Sequence, residues 1–134
     1  MLILRQALIA YCFSEVKGFS KFGSYVGNGS GTGGVFNYLG FKPAMVIIKA
    51  SSTTGEWLIY DNKRSPFNET RLTLSADNSD AEEEVGTRKI NMFSNGFEIG
   101  SNSAYTNSSG QTYIYMAFAE NPFVTSTGVP ATAR

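Results

Sequence analysis

The chain contains no histidine and a single cysteine, Cys12, among its 134 residues. Without histidine there is no ordinary general base, no imidazole zinc ligand and no switch that titrates near neutrality. With one cysteine there is neither an internal disulfide nor a thiolate metal cluster. Charge is also sparse, at 16% of residues, with eleven residues of each sign. A balanced, thinly charged surface does not recruit nucleic acid or an anionic membrane through its net field. Apolar stretches are short. The longest, "MLILRQALIAYCF" at residues 1–13, is interrupted by Arg5 and falls well below a membrane span. No small-residue cleavage pattern comes after it, so it reads as a strand preceded by a short arm, in a protein made in the cytoplasm. Cys12 within it is expected to be a small buried hydrophobe.

What the chain does have is aromatic residues and turn chemistry: ten Phe, seven Tyr, one Trp and fourteen Gly. Apolar runs separated by Gly, Ser, Asn and Thr are the signature of short strands. Strands are predicted at residues 8–15 ("LIAYCFSE"), 34–41 ("GVFNYLGF"), 44–50 ("AMVIIKA"), 56–62 ("EWLIYDN"), 71–74 ("RLTL"), 89–94 ("KINMFS"), 96–101 ("GFEIGS") and 112–120 ("TYIYMAFAE"). The run at 44–50 is continuous and β-branched, the pattern of a strand buried on both faces. "SSTTG" predicts a five-residue hairpin loop after it. Asn95-Gly96, the strongest short hairpin signal, predicts a hairpin between the strands at 89–94 and 96–101. Residues 76–89 hold at most one helical turn. The expected fold is all-β, an antiparallel two-sheet β-sandwich of jelly-roll or lectin-like type. One domain is expected over residues 1–134, with an N-terminal arm at 1–8 and a C-terminal tail at 124–134.

Several groupings have the outline of a functional site. "GNGSGTGG" contains Gly29-x-Gly31-x-x-Gly34, the spacing of a dinucleotide-binding loop. Such a loop needs a helix behind its last glycine to hold the pyrophosphate. The next residues are "VFNYLGFKPAMVIIK", a strand–turn–strand pattern, so a surface loop is expected and no cofactor. Asp77, Asp80, Glu82, Glu83 and Glu84 form an acidic run without the alternation or central glycine of a calcium loop. Asp61 beside Lys63 and Arg64 reads as a charged strand end. Glu15 and Glu120 both close aromatic strands, but a carboxylate pair without a cleft is no glycosidase. Asn28, Asn68 and Asn107 sit in Asn-x-Ser/Thr triplets, which are expected by chance in so Asn- and Ser-rich a chain. Tyr25, Tyr38, Trp57 and Tyr60 have the chemistry to stack on sugars, yet fit a core or subunit contact better. Trp57 and Ile59 alternate with Leu58 and Tyr60, so both faces of that strand are apolar and expected to be covered. No catalytic, metal or cofactor residue emerges, and no enzyme is expected.

Two longer patterns remain. "IAYCFSE" at residues 9–15 aligns without gaps on "IYMAFAE" at 114–120, matching Ile9 with Ile114, Phe13 with Phe118 and Glu15 with Glu120. This echo suits a unit of period about 105 residues in which each copy ends on the strand type that begins the next, and two such strands competing for one slot would favour exchange between subunits. In addition, "FSKFGSYVGNGSGTGGVFNYLGFKPAMVIIKAS", "WLIYDNKRSPFN", "FSNGFEI" and "SSGQTYIYMAFAENPF" together resemble a repeat of bacteriophage virion proteins. It is found most often in tail fibres, beside or in place of concanavalin-like lectin modules. The likeness covers roughly residues 9–123. It implies a phage structural β-sandwich without catalytic or cofactor residues. A single unit with short extensions, lacking a fibre shaft, is expected to be a capsid decoration (cement) protein on the virion head. Its partners would be the major capsid protein and copies of itself, as a dimer or trimer, and not nucleic acid or membrane. A tail-fibre module that recognises host glycans is the alternative.

Overall fold

The computed structural model describes residues 8–123, so the C-terminal tail and all but Leu8 of the N-terminal arm lie outside the described residues. Nine strands are described: β1 Ser20–Val26, β2 Phe36–Tyr38, β3 Pro43–Ala50, β4 Leu58–Asp61, β5 Leu72–Ser75, β6 Glu83–Glu84, β7 Ile90–Phe93, β8 Gly96–Ile99 and β9 Thr112–Ala119. No helix occurs among the described residues. Every pairing is antiparallel, in a six-stranded sheet of order β1-β9-β3-β4-β5-β6 and a three-stranded sheet of order β2-β8-β7. The protein is all-β with two antiparallel sheets, an arrangement that accords with a sandwich.

Alternation along the strands builds the core. On the larger sheet, Tyr25, Val46, Ile48, Leu58, Tyr60, Tyr113, Tyr115 and Ala117 point inward; on the smaller sheet, Ile90, Met92, Phe97 and Ile99 meet them. The layers are locked by Phe97 and Tyr115, whose rings stand edge to face at 5.2 Å, and Tyr25 stacks on Tyr113 at the same separation. Such pairs contribute about 0.5–1.5 kcal/mol beyond the area they bury.

Several sequence expectations change. Residues 8–15 are not a strand: apart from a Val16–Ser20 bridge they leave the sheet, and Cys12 is exposed rather than buried. The physical reason is that the place between β1 and β3 is already filled by β9. β3 is not sealed on both faces, since Val46, Ile48 and Ala50 are buried while Met45, Ile47 and Lys49 are half-buried. β4 shows the same one-sided burial. The loop between β3 and β4 has seven residues, 51–57, because Ser51 is held to the Thr112 carbonyl before the chain turns. The β7–β8 hairpin turns on Ser94-Asn95, and among the described residues no non-glycine residue has a positive φ. Gly96 is therefore not a turn residue. A Cβ there would collide with the Asn37 carbonyl oxygen on β2, so glycine lets β2 come close.

Candidate binding surfaces

The glycine stretch becomes an ordered loop between β1 and β2, with a strand and not a helix behind it. Fully buried Asn107 organises it: its amide nitrogen donates to the Asn28 side chain and to the carbonyls of Ser30 and Ser101, and its amide oxygen accepts from Asn28 N–H. The Asn28 side chain in turn accepts from Ser30 N–H and donates to the Gly33 carbonyl. A Cβ on Gly34 would fall on the Ile99 carbonyl oxygen, so this glycine is there for backbone contact between β2 and β8. The N–H groups of Gly29, Ser30, Thr32 and Gly33 are taken within the protein, by the Asn107 carbonyl, the Asn28 side chain and the Ser30 hydroxyl. The loop borders a hollow of about 240 Å³ whose walls carry Glu69, Lys89 and Glu98. Their charge is largely spent: Glu69 bridges Lys89 and Arg71, and Glu98 accepts from the Asn91 amide. Hydrogen bonds from Lys89 and then Arg71 hold the Glu69 carboxyl below its ordinary range.

A larger hollow, about 510 Å³, lies beside the β3–β4 loop, lined by Thr53, Thr54, Gly55, Tyr105, Ser108 and Gln111 among others. The Arg88 guanidinium sits 4.1 Å over the Tyr105 ring and is anchored by Glu56 at 3.1 Å. One ring face is thus taken, while hydroxyl and amide groups line the rest. Sequence reasoning missed this site because residues 53–55 and 105–111 meet only in the fold.

The other candidates disperse. Glu82 pairs with Arg64 and Glu83 with Arg88, and among the described residues no cluster of acidic, cysteine or histidine side chains is arranged to hold a metal ion. Asp61 accepts from the N–H groups of Lys63 and Arg64 and from the Arg64 guanidinium. Burial works to raise its pKa, and these bonds outweigh it, so the carboxyl stays below its usual range. Glu15 faces Phe22 N–H at the β1 edge, whereas Glu120 pairs with Lys42 at 2.7 Å on the β3 side; β9 separates them. Asn107 is buried and the side chains of Asn28 and Asn68 are engaged by the backbone, which leaves no free amide at the three triplets. Of the four aromatics, Tyr25 and Tyr60 are core, Trp57 is half-buried, and Tyr38 is exposed with Lys21 against its ring.

The outer face of the six-stranded sheet is the surface that sequence reasoning did not isolate. By register, Phe22 of β1, Ile114, Met116 and Phe118 of β9, Met45 and Ile47 of β3, Ile59 of β4 and Leu74 of β5 share the face turned away from the smaller sheet. They are half-buried or exposed. Phe13 reaches this face, with its ring 6.1 Å from those of Phe22 and Phe118. Leu8, Ile9 and Tyr11 are 90, 82 and 82% exposed. The signal lies in the alternation of Met45 and Ile47 with Val46 and Ile48, a pattern that fits burial on both sides equally well.

Two antiparallel sheets, a set of surface ion pairs and a broad apolar outer face define a small all-β module. The family model described as "Domain of unknown function (DUF7483)" matches residues 3–122, and the chain belongs to that family. No curated protein and no solved structure matches the chain.

Proposed function

We propose that this chain is a structural protein of a bacteriophage virion, a capsid decoration protein of the jelly-roll or lectin-like sandwich type that binds the outer head surface and stabilises it. The reading is carried by the resemblance of residues 9–123 to phage virion repeats, and the apolar residues of 8–13 held out in solvent support it. Exposed apolar chain beside an apolar sheet face is a surface for protein contact, not for transformation of a small molecule. The module binds; it is not an enzyme. Binding only the assembled shell stabilises that shell by RT ln(1 + [L]/Kd) at each site, about 2.7 kcal/mol when free protein stands at 100 Kd. The partners are the major capsid protein and further copies of this chain, seated on a symmetry axis of the particle.

Counting copies on purified virions tests this. Hundreds of copies distributed over the head are expected; a handful confined to the tail would overturn it. The second reading, a tail-fibre module for host glycans, rests on the hollow beside Tyr105, where hydroxyl and amide groups surround an aromatic edge. Binding of a defined sugar on a glycan array, lost in Tyr105→Ala, would favour that reading.

A further inference from the structure

The geometry points to the outer face of the six-stranded sheet as a homotypic interface, in which the apolar segment 8–14 of each chain, called the arm below, lies across the sheet of a second copy. This rests on the protein-binding part of the proposed function, which already includes further copies of the chain, and adds the surface by which one copy holds the next. Three observations carry it. The face presents Met45, Ile47, Ile59, Ile114, Met116 and Phe118 side by side over three adjacent strands, with Lys49 at one end and Asp61 at the other. The arm's sequence alternates large residues, Ile9, Tyr11 and Phe13, with small ones, Ala10, Cys12 and Ser14, so that laid out as a strand it would turn its large residues to one side. And the arm does not cover its own sheet: Phe13 packs at the Phe22–Phe118 corner and Ser14 and Glu15 reach only the β1 edge, while Leu8, Ile9 and Tyr11 stand in solvent.

Area favours a second copy as the occupant. Five strands spaced ~4.8 Å apart, with same-face rows ~7 Å apart, give a face on the order of 400 Å². A stable interface takes about 800 Å² per partner. Tyr11 brings about 150–250 Å² of the remainder, and the exposed side chains of Leu8 and Ile9 add to it. Face and arm belong to one molecule, so a two-fold axis satisfies both halves at once, as an isologous dimer requires.

Sedimentation velocity of the purified full chain is expected to show a dimer. Ile9→Ser with Tyr11→Ser, at positions exposed in the single chain, is expected to weaken the dimer at least 100-fold without lowering the chain's own thermal stability. Ile114→Glu on the exposed part of the face is expected to do the same. A photo-crosslinker attached at the sole thiol, Cys12, in a mixture of light and isotopically heavy chains is expected to join one chain's arm to the other's β3 or β9. A chain that stays monomeric, a dimer indifferent to both sets of substitutions, or crosslinks confined to single chains would each overturn the inference. A monomer that still coats virion heads would sink it and leave the decoration reading standing; a dimer absent from particles would do the reverse.

Discussion

Residues 9–15 and 114–120 carry Ile, Phe and Glu at matched positions, yet one runs through solvent and the other through the middle of a sheet. The difference lies in the positions between the matches. In β9 the inward residues are Tyr113, Tyr115 and Ala117, which fill the core, and the outward ones are Ile114, Met116 and Phe118. In the arm the residues that correspond to Tyr115, Ala117 and Ala119 are Ala10, Cys12 and Ser14. The echo is therefore one of outer faces only. A strand with one apolar side has nothing to offer a two-layer core, however high its β propensity.

The comparison is most strongly tested by moving the arm's pattern into β9, through Tyr115→Ala, Met116→Tyr, Ala117→Cys and Ala119→Ser. Losing Tyr115 from its contact with Phe97 is expected to dominate, at about 4 kcal/mol, read as a lower denaturant midpoint. The reverse transplant into the arm is expected to change the stability of the single chain by under about 0.5 kcal/mol. Comparable costs in the two directions would refute the comparison. Next in size is Tyr113→Phe. The Tyr113 hydroxyl donates to the Ala104 carbonyl at 2.8 Å and accepts from Ser108 N–H, so its loss is expected to cost about 1–3 kcal/mol. Tyr60→Phe serves as its control. That hydroxyl is fully buried without a protein partner among the described residues, burial pushes its pKa up, and its removal is expected to leave stability unchanged or raise it in thermal unfolding. Phe13→Ala, which deletes the arm's aromatic contact with its own sheet, is expected to cost about 1 kcal/mol.

The smallest effect concerns the glutamates that close the two segments. The hydrogen bond from Lys42 holds the Glu120 carboxyl below its ordinary range. A group depressed in the folded state contributes stability above the unfolded pKa, and that contribution is lost as pH falls through the folded value. Glu120→Gln is thus expected to cost up to about 1 kcal/mol at neutral pH, as for a surface ion pair. The gap should close below about pH 4 in pH-dependent urea unfolding. A gap that widened in acid would contradict the assigned pair.

The strands that were legible in the sequence are those in which propensity and flanking turns agreed: β3, β4, β7, β8 and β9, and, with less exact bounds, β2 and β5. Residues 8–15 had the same local credentials and failed, because strand membership also needs a vacant neighbour, which is a property of the whole sheet. The Asn95-Gly96 pair signalled a hairpin correctly but not its register, since Gly96 answers to the approach of β2, more than fifty residues earlier in the chain. That the glycine loop leads into a strand rather than a helix was readable from the residues behind Gly34. Its anchor on Asn107 was not, because the contact spans 79 residues. The hollow at Tyr105 and the apolar outer face escaped for the same reason: each is assembled from side chains that only the pairing register brings together.

The seat of β9 has a bearing on how the protein comes into being. This strand comes after all the other described ones in the chain, yet it is the sole link between β1 and β3 within their sheet. While the ribosome is still translating the preceding residues, β1 has no sheet partner to settle against and the inward side of β3 lacks half its company. Completion must wait until the segment containing Tyr113 and Tyr115 has left the exit tunnel and threaded between two waiting neighbours. Closure over such sequence distances is slow for a chain of this size. Until then, aromatic rings lie open to chaperones and to sister chains emerging from the same message.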